Sequence, residues 1–592
     1  MKQTFREKVE RLLETFRDRI SYQDALPQLV GLGMVSGLCA AALVVLFRLQ
    51  VEGSLGLLFQ GSAEDFESLS PAWRFLLPFL GALFLGLLLS LVDRQYHIVG
   101  VFHVLERLRN HQGRLPGRNL LVQFFGGSIA LISGQSVGRE GPGVHLGAGI
   151  ASLLGQWFEL PNNAMRTLIA CGAAAAIAAA FNTPMAGVIF AMEVILMEYT
   201  IVGFIPVIIA SVLGSVITQL VFGTDTLIVV PPVELNLLWE IPFMVYAGLL
   251  YAVAAVAFIR IHLFMSRRRE TPVLNRYLLI GLLTGSVAIF LPQILGAGYD
   301  TLNQLIAGEI PIRLLIAIVV AKLIVTASVT GLGMVGGLIG PLLVIGGCLG
   351  GVLGVIGNGI VTEASTPEFY VVLGMVAMMG AVLNAPLAAL VTILELSSNP
   401  AIIFPSMLMV VVACVAVQQL FKCQGIFAEQ LRYQGLASYE APARQFLSRV
   451  GVRSVMNTSL TLSPPRISLP QAESVVRNAT VWIVIKHEDD ELQLISTADL
   501  AKHLEAIKAA LEGGDSSDDN DPGSEQLTID LTRIAAQVFN TGELDSKSNL
   551  YQASQAIQLD GKDALCVTRR YGQGRSVVGV LTRDAIQKFY GI

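Results

Sequence analysis

The sequence predicts an all-α, polytopic membrane protein whose helical domain is internally duplicated, followed by a small α/β domain. Three observations carry that fold class. Of the 592 residues, 53% are hydrophobic and only 14% charged, and the mean hydropathy is +0.63, well away from the balance of soluble domains. Two motifs recur in the same order: Gly-Pro142 is echoed by Gly-Pro341, 199 residues on, and Asn182-Thr-Pro…Glu193 by Asn384-Ala-Pro…Glu395, 202 residues on. Beyond Leu436 the composition turns soluble, and a strand, strand, helix pattern occurs twice.

The elements follow in order. Residues 1–26 alternate in charge and read as an amphipathic helix carrying Lys2, Arg6, Lys8, Arg11, Arg17 and Arg19. That basic excess ahead of a first span at 27–49 predicts a cytoplasmic N-terminus, and its polarity does not fit a cleavable signal peptide. A second span covers 72–92, and the basic segment Arg94 to Arg118 returns to the cytoplasm. Beyond 119 the apolar segments crowd too closely for a string of ~20-residue spans. Short, tilted or broken helices are therefore expected as far as about 421, with the turn SRRRE at 266–270 separating the halves. The small-residue run from Cys171 to Ala180 reads as structural, since it lets helix backbones approach closely.

The membrane domain thus spans 27–436 and the tail 446–592. In the tail, VWIVIKH, LQLIS and ADLAKHLEAIKAAL over 481–511 predict strand, strand and helix. The same order returns in DALCVTRR, SVVGVLT and RDAIQKFY over 563–590. Between them, about 510–526 holds six acids, no bases and Gly/Pro/Ser filler, the composition of a disordered linker. Six scattered cysteines without a CxxC indicate neither a disulfide framework nor a metal site. A net charge of −5 argues against a nucleic-acid partner.

Chemistry concentrates in GQSVGREGPGVHLGAG, residues 134–149, where Arg139 and Glu140 stand between glycines in apolar surroundings. Pro142 suits a first helical turn, where its missing N–H would be unpaired anyway. The glycines allow close approach of a ligand, and the free amides with the helix dipole favour negative charge there. Glu140 either occupies those amides or yields them to a competing anion. A plain cap with an interfacial ion pair is the alternative for one such motif. The companion stretch Gly333–Gly354 shifts the balance: paired Gly/Pro-interrupted segments in matching halves point to an ion site at the membrane midplane.

With these residues in view, the membrane domain resembles the CLC family of chloride channels and chloride/proton exchangers. The likeness rests on Gly138-Arg-Glu-Gly-Pro142, Gly337-Leu-Ile-Gly-Pro341 and the two Asn-x-Pro…Glu segments. It implies a homodimer in the plasma membrane with one pore per subunit, each subunit an inverted repeat, and both termini cytoplasmic. It implies transport of chloride or a similar anion rather than enzymatic chemistry, with bound halide but no cofactor. Glu140 falls on the family's gating glutamate. The anion positions fall on Val99, Gly100, Arg139, Gly141, Leu338, Ile339 and Phe427. Here the sequence departs from the family: Val99 stands where a serine belongs, Phe102 where a proline does, and Ile339 and Phe427 replace a phenylalanine and the pore tyrosine. Both side-chain hydroxyls of the central site are thereby lost, each worth about 0.5–1.5 kcal/mol.

The proton side departs as well. Val194 occupies the position of the exchangers' internal glutamate, as in channel members. Glu193 matches a structural acid of both branches, and Glu198, one turn on from Val194, is the candidate substitute relay. The tail resembles a pair of CBS motifs, whose nucleotide-binding signature would fall on Ser496 and Asp499 and, one residue short, on Thr582 and Asp584. An adenine nucleotide there is the lesser reading beside a dimerisation and stability module. Three function classes remain open: a passive or weakly coupled anion channel gated by Glu140, a proton-coupled exchanger using Glu198 or water, and a sensor or scaffold centred on the tail.

Overall fold

The computed structural model describes residues 26–59, 64–199, 201–224, 235–360, 365–436, 447, 450–487, 491–512, 528–534, 537–571 and 574–590. The N-terminal amphipathic segment and most of the acidic linker lie outside these residues. The chain divides into two compact units, one of residues 26–158 with 165–438 and one built on the C-terminal tail.

In the first unit the chain runs through two matching sets of helices. The first set is α1 (Leu26–Leu58), α2 (Pro71–Ser90), α3 (Val101–Asn110), α4 (Gly117–Ile132), α5 (Glu140–Trp157), α6 (Asn162–Phe181), α7 (Pro184–Phe190) and α8 (Ile201–Phe222). The second is α9 (Ile241–Ser266), α10 (Val273–Ala288), α11 (Tyr299–Ile306), α12 (Ile312–Leu332), α13 (Ile339–Ile360), α14 (Pro367–Leu383), α15 (Pro386–Ser397) and α16 (Ile403–Val415), with α17 (Ile426–Tyr433) appended. Among the described residues eight helices are long and apolar enough to cross a membrane, and others are markedly shorter. The first span is longer than the expected 27–49, reaching 33 residues, enough to cross a bilayer at a tilt. The SRRRE turn is a 3₁₀ turn, Arg267–Glu270. Helix α5 begins at Glu140 rather than at Pro142. Pro142 still falls among the first residues, whose N–H groups have no intrahelical acceptor.

The duplication extends to the backbone. Gly100 and Gly298 cap α3 and α11 with φ of 83° and 85°, and Asn182 and Asn384, each with φ of 58°, precede α7 and α15. A carboxylate from each half also caps a helix of the other. Glu193 accepts from the Leu387 and Ala388 amides at 3.2 and 2.7 Å. Glu395 accepts from the Met185 and Ala186 amides at 2.8 and 2.7 Å. Each pair satisfies N–H groups that a helix start leaves open and places negative charge at the positive end of the dipole. Reciprocal contacts between equivalent residues are the mark of a two-fold relation.

Glycine sets the distance between helices. A Cβ on Gly147 of α5 would meet the Gly172 carbonyl of α6, and one on Gly172 would meet Gly147. In the second half Gly346 and Gly374 repeat the relation between α13 and α14. Backbones this close gain dispersion contacts that lipid-facing leucines cannot supply. The run Ala173–Ala180 is buried throughout, as its composition predicts.

In the tail, each half folds as strand, helix, strand, strand, helix. The first half is β1 (Leu460–Ser463), α18 (Leu469–Arg477), β3 (Trp482–Lys486), β4 (Leu492–Ser496) and α19 (Thr497–Glu512), with β2 (Arg466–Ser468) paired to β5 (Thr528–Asp530) beside it. The second is β6 (Phe539–Asp545), α20 (Leu550–Asp560), β7 (Ala564–Tyr571), β8 (Gly574–Thr582) and α21 (Arg583–Tyr590). They share one sheet of order β1-β3-β4-β6-β7-β8, joined through β4 and β6. Ile483 and Ile485 face one core and Val484 the other, the alternation expected of a strand covered on both faces. The predicted strands and helices at 481–511 and 563–590 are present. The opening strand and helix of each half are additions, and the first residues expected in the linker, 510–512, belong to α19.

Gly374→Val forces α13 and α14 apart and should lower the thermal midpoint of the purified protein by about 1–2 degrees, through overpacking of about 1–3 kcal/mol. Gly53→Ala, at a site with no atom within 4 Å of the added carbon, should leave it unchanged or slightly raised.

Candidate anion pathway

The two halves meet at two glycines. The Gly138 amide donates to the Gly337 carbonyl at 2.9 Å and the Gly337 amide to Gly138 at 2.6 Å. These hydrogen bonds bring the starts of α5 and α13 together. Side chains are excluded there: a Cβ on Gly141 would lie 2.6 Å from the Gly337 Cα, and one on Gly337 would lie 2.9 Å from Glu140 Oε2.

Glu140 stands at this junction and is 1% exposed. Its Oε1 accepts from the Tyr299 hydroxyl, while Oε2 is buried without a partner. Tyr299 opens α11, directly after the positive-φ Gly298. It is a site residue that no motif in the sequence marks. Only the duplication, which makes α11 the counterpart of pore-lining α3, could have drawn attention to it.

Glu140 lines a cavity of about 320 Å³. Four helix N-termini converge on it: Val99 and Gly100 from α3, Gly141 from α5, Leu338 and Ile339 from α13, and Phe427 from α17. Each contributes free amides and roughly half a positive charge, an arrangement that favours an anion. All these predicted anion positions and Glu140 thus share one cavity. Arg139 does not line it. Its guanidinium turns away to Glu52 Oε1 at 2.8 Å and lies 5.0 Å over the Tyr299 ring. Arg48 reaches the same Glu52 oxygen at 2.7 Å. Glu52 therefore compensates two partly buried guanidiniums.

The predicted proton residues also lie apart from the cavity. Glu193 caps α15, as described above. Glu198 pairs with Arg166 at 2.8 Å, and Val194 is buried. In the tail, Ser496 and Thr582 end β4 and β8, where their hydroxyls accept from the Ala498 and Ala585 amides at 3.2 Å. Asp499 and Asp584 follow in the first turns of α19 and α21. The two signatures occupy equivalent strand-to-helix junctions in separate halves. Among the described residues no three His, Cys, Asp or Glu gather as metal ligands would.

A duplicated membrane bundle whose helix starts surround one carboxylate defines a membrane protein that passes anions. A family model described as "Voltage gated chloride channel" matches residues 81–418, more than half the chain, and the chain belongs to that family, the CLC channels and transporters. It is 31% identical to a putative chloride channel protein ClcB-like of Ralstonia nicotianae over 58% of this chain and 82% of that one. It is 29% identical to the H(+)/Cl(-) exchange transporter ClcA of Vibrio cholerae over 53% and 69%. The fold is that of a slow cyanobacterial Cl⁻/H⁺ antiporter, with TM-score 0.62 and 22% identity over 69% of this chain and 98% of that one. A eukaryotic CLC transporter matches with TM-score 0.58 and 17% identity over 94% and 97%, a span that takes in the tail.

Glu52→Gln leaves Arg48 and Arg139 without their carboxylate. It should destabilise the purified protein by about 2 kcal/mol, somewhat less than for a fully buried pair, read as a lowered thermal midpoint. An unchanged midpoint would show that solvent screens this cluster.

Proposed function

We propose that the chain passes chloride or a similar small anion through the cavity that Glu140 lines, with the Glu140 carboxylate as the gate and without strong coupling to protons. The observation that carries this reading is the place of Glu140: a buried carboxylate at the point where the starts of α5 and α13, one from each half, meet. Held by Tyr299, it fills a position that suits an anion. Protonation removes the charge that competes with the permeating ion, so acid favours an open path.

The channel-like side of the proposal is supported by the absence of an acid at Val194 and by the engagement of Glu193 and Glu198 elsewhere. A proton-coupled exchanger is the second reading. It is favoured by relatives named as H⁺/Cl⁻ exchangers and by the antiporter whose fold this chain shares. Homodimerisation, a plasma-membrane location with both termini in the cytoplasm, and a CBS-type tail belong to the same proposal. The repeated strand-helix-strand-strand-helix units support the last of these.

In liposomes, Glu140→Gln should abolish the acceleration of chloride efflux by acid and leave efflux at least as fast as in the wild type. Retained acid dependence would remove Glu140 from the gate. Tyr299→Phe should speed efflux at fixed pH by about tenfold or more, the equivalent of one hydrogen bond to a charged group.

Under a clamped potential, a chloride gradient should drive no proton uptake by the wild-type protein. Proton uptake that Glu198→Gln stops while chloride flux continues would establish the exchanger reading instead.

A further inference from the structure

Lys322 is a buried cation that the anion pathway does not use. It lies in α12, a helix long and apolar enough to cross a membrane, and is 0% exposed. It does not line the cavity that holds Glu140. Its ammonium donates to three backbone carbonyls, of Gln293, Ile294 and Gly296, at 3.2, 3.2 and 3.3 Å. That engages all three of its N–H groups, with neutral acceptors alone. An ionisable group inside the membrane is expensive and calls for a function.

The three carbonyls belong to the turn that delivers Tyr299. It runs from the 3₁₀ turn Pro292–Ile294 to Gly298, whose φ of 85° opens α11. A carboxylate grips the same turn by its amides. Glu64, from the connection between α1 and α2, accepts from the Gly298 amide at 3.2 Å and from the Tyr299 amide. It too stands outside the cavity of Glu140. The two charges reach neighbouring points: a Cβ on Gly298 would lie 2.9 Å from Lys322 Nζ, and one on Gly296 would lie 3.6 Å from Glu64 Oε2. Phe66 anchors the connection that carries Glu64. Its ring is buried against Gly134 and Gly296, where an added Cβ would lie 2.9 Å from it. The turn is thus held through its carbonyls by a cation and through its amides by an anion. Such charge-assisted hydrogen bonds are stronger than neutral ones.

We propose that Lys322 and Glu64 are positioning residues for the gate: they clamp the turn ahead of α11 so that Tyr299 keeps its hydroxyl on Glu140. The inference rests on Glu140 being the gate. The Tyr299 ring transmits any tilt of the turn to its hydroxyl, and a hydrogen bond weakens steeply once misaligned. Loosening either end of the clamp therefore frees the carboxylate, although neither Lys322 nor Glu64 meets the permeating ion.

The test is chloride efflux from liposomes holding the full-length protein, at neutral and at acid pH. Glu64→Gln removes a negative charge and Lys322→Met a positive one, yet both should speed efflux severalfold at neutral pH. A change of charge alone would move the two in opposite directions. The gain should vanish at acid pH, where Glu140 is protonated and the path already open. It should vanish also in a Tyr299→Phe background, where the link to Glu140 is gone. Glu64→Gln lies outside the spans and keeps the test decisive should Lys322→Met fail to fold. Efflux in Glu64→Gln equal to that of the wild type would overturn the proposal, as would opposite responses of the two variants or a gain that persists with Tyr299→Phe. Each of these results is compatible with Glu140→Gln abolishing acid dependence, in which case the gate stands and only the clamp falls. Acid dependence that survives Glu140→Gln would remove the gate, and this inference with it.

Discussion

Two hydrogen bonds between Gly138 and Gly337 hold the centre of this protein together. They join the halves at the point where α5 and α13 begin. Neither residue can carry a side chain there without striking the partner backbone or the Glu140 carboxylate. Once these starts are pinned, the free amides of both helices face one space, and a carboxylate two residues from Gly138 must lie in it. The glycine contacts between α5 and α6 and between α13 and α14 support the same junction from behind, because they fix where each broken helix can sit.

The arrangement spends backbone where soluble proteins spend side chains. Helix starts carry partial charge that cannot be titrated or displaced, and the chain lines its cavity with four of them. The amides around Gly100 and Phe427 remain, although Val99 and Phe427 offer no donor of their own. Arg139 is turned to Glu52, and Arg269 and Arg276 donate to the carbonyls that close α12.

Glu193 and Glu395 illustrate how duplication constrains chemistry. Each carboxylate is committed to the helix start of the opposite half, so a change in one is felt in both. An acid so placed is structural by geometry, whatever its neighbours in sequence suggest. Glu198, held by Arg166, is similarly engaged at some remove from the cavity.

The sequence by itself determined the class, the duplication and the position of the gate candidate. Hydropathy reports the solvent of a segment, and Gly, Pro and Asn report local backbone conformations that few other residues adopt. Asn182 and Asn384 and the two Gly-Pro starts were legible for that reason. In the tail, alternating apolar residues exposed β3, β4, β7 and β8. The shorter β1 and the more polar β6 carried too weak a pattern to be read. The tertiary structure alone decided what each charged group faces. Tyr299 reaches Glu140 from 159 positions away in the chain, Arg139 turns from the cavity to Glu52, and Lys322 meets the carbonyls of Gln293, Ile294 and Gly296. Such pairings depend on helix rotation and on the junction of two distant halves, and periodicity within a segment encodes neither.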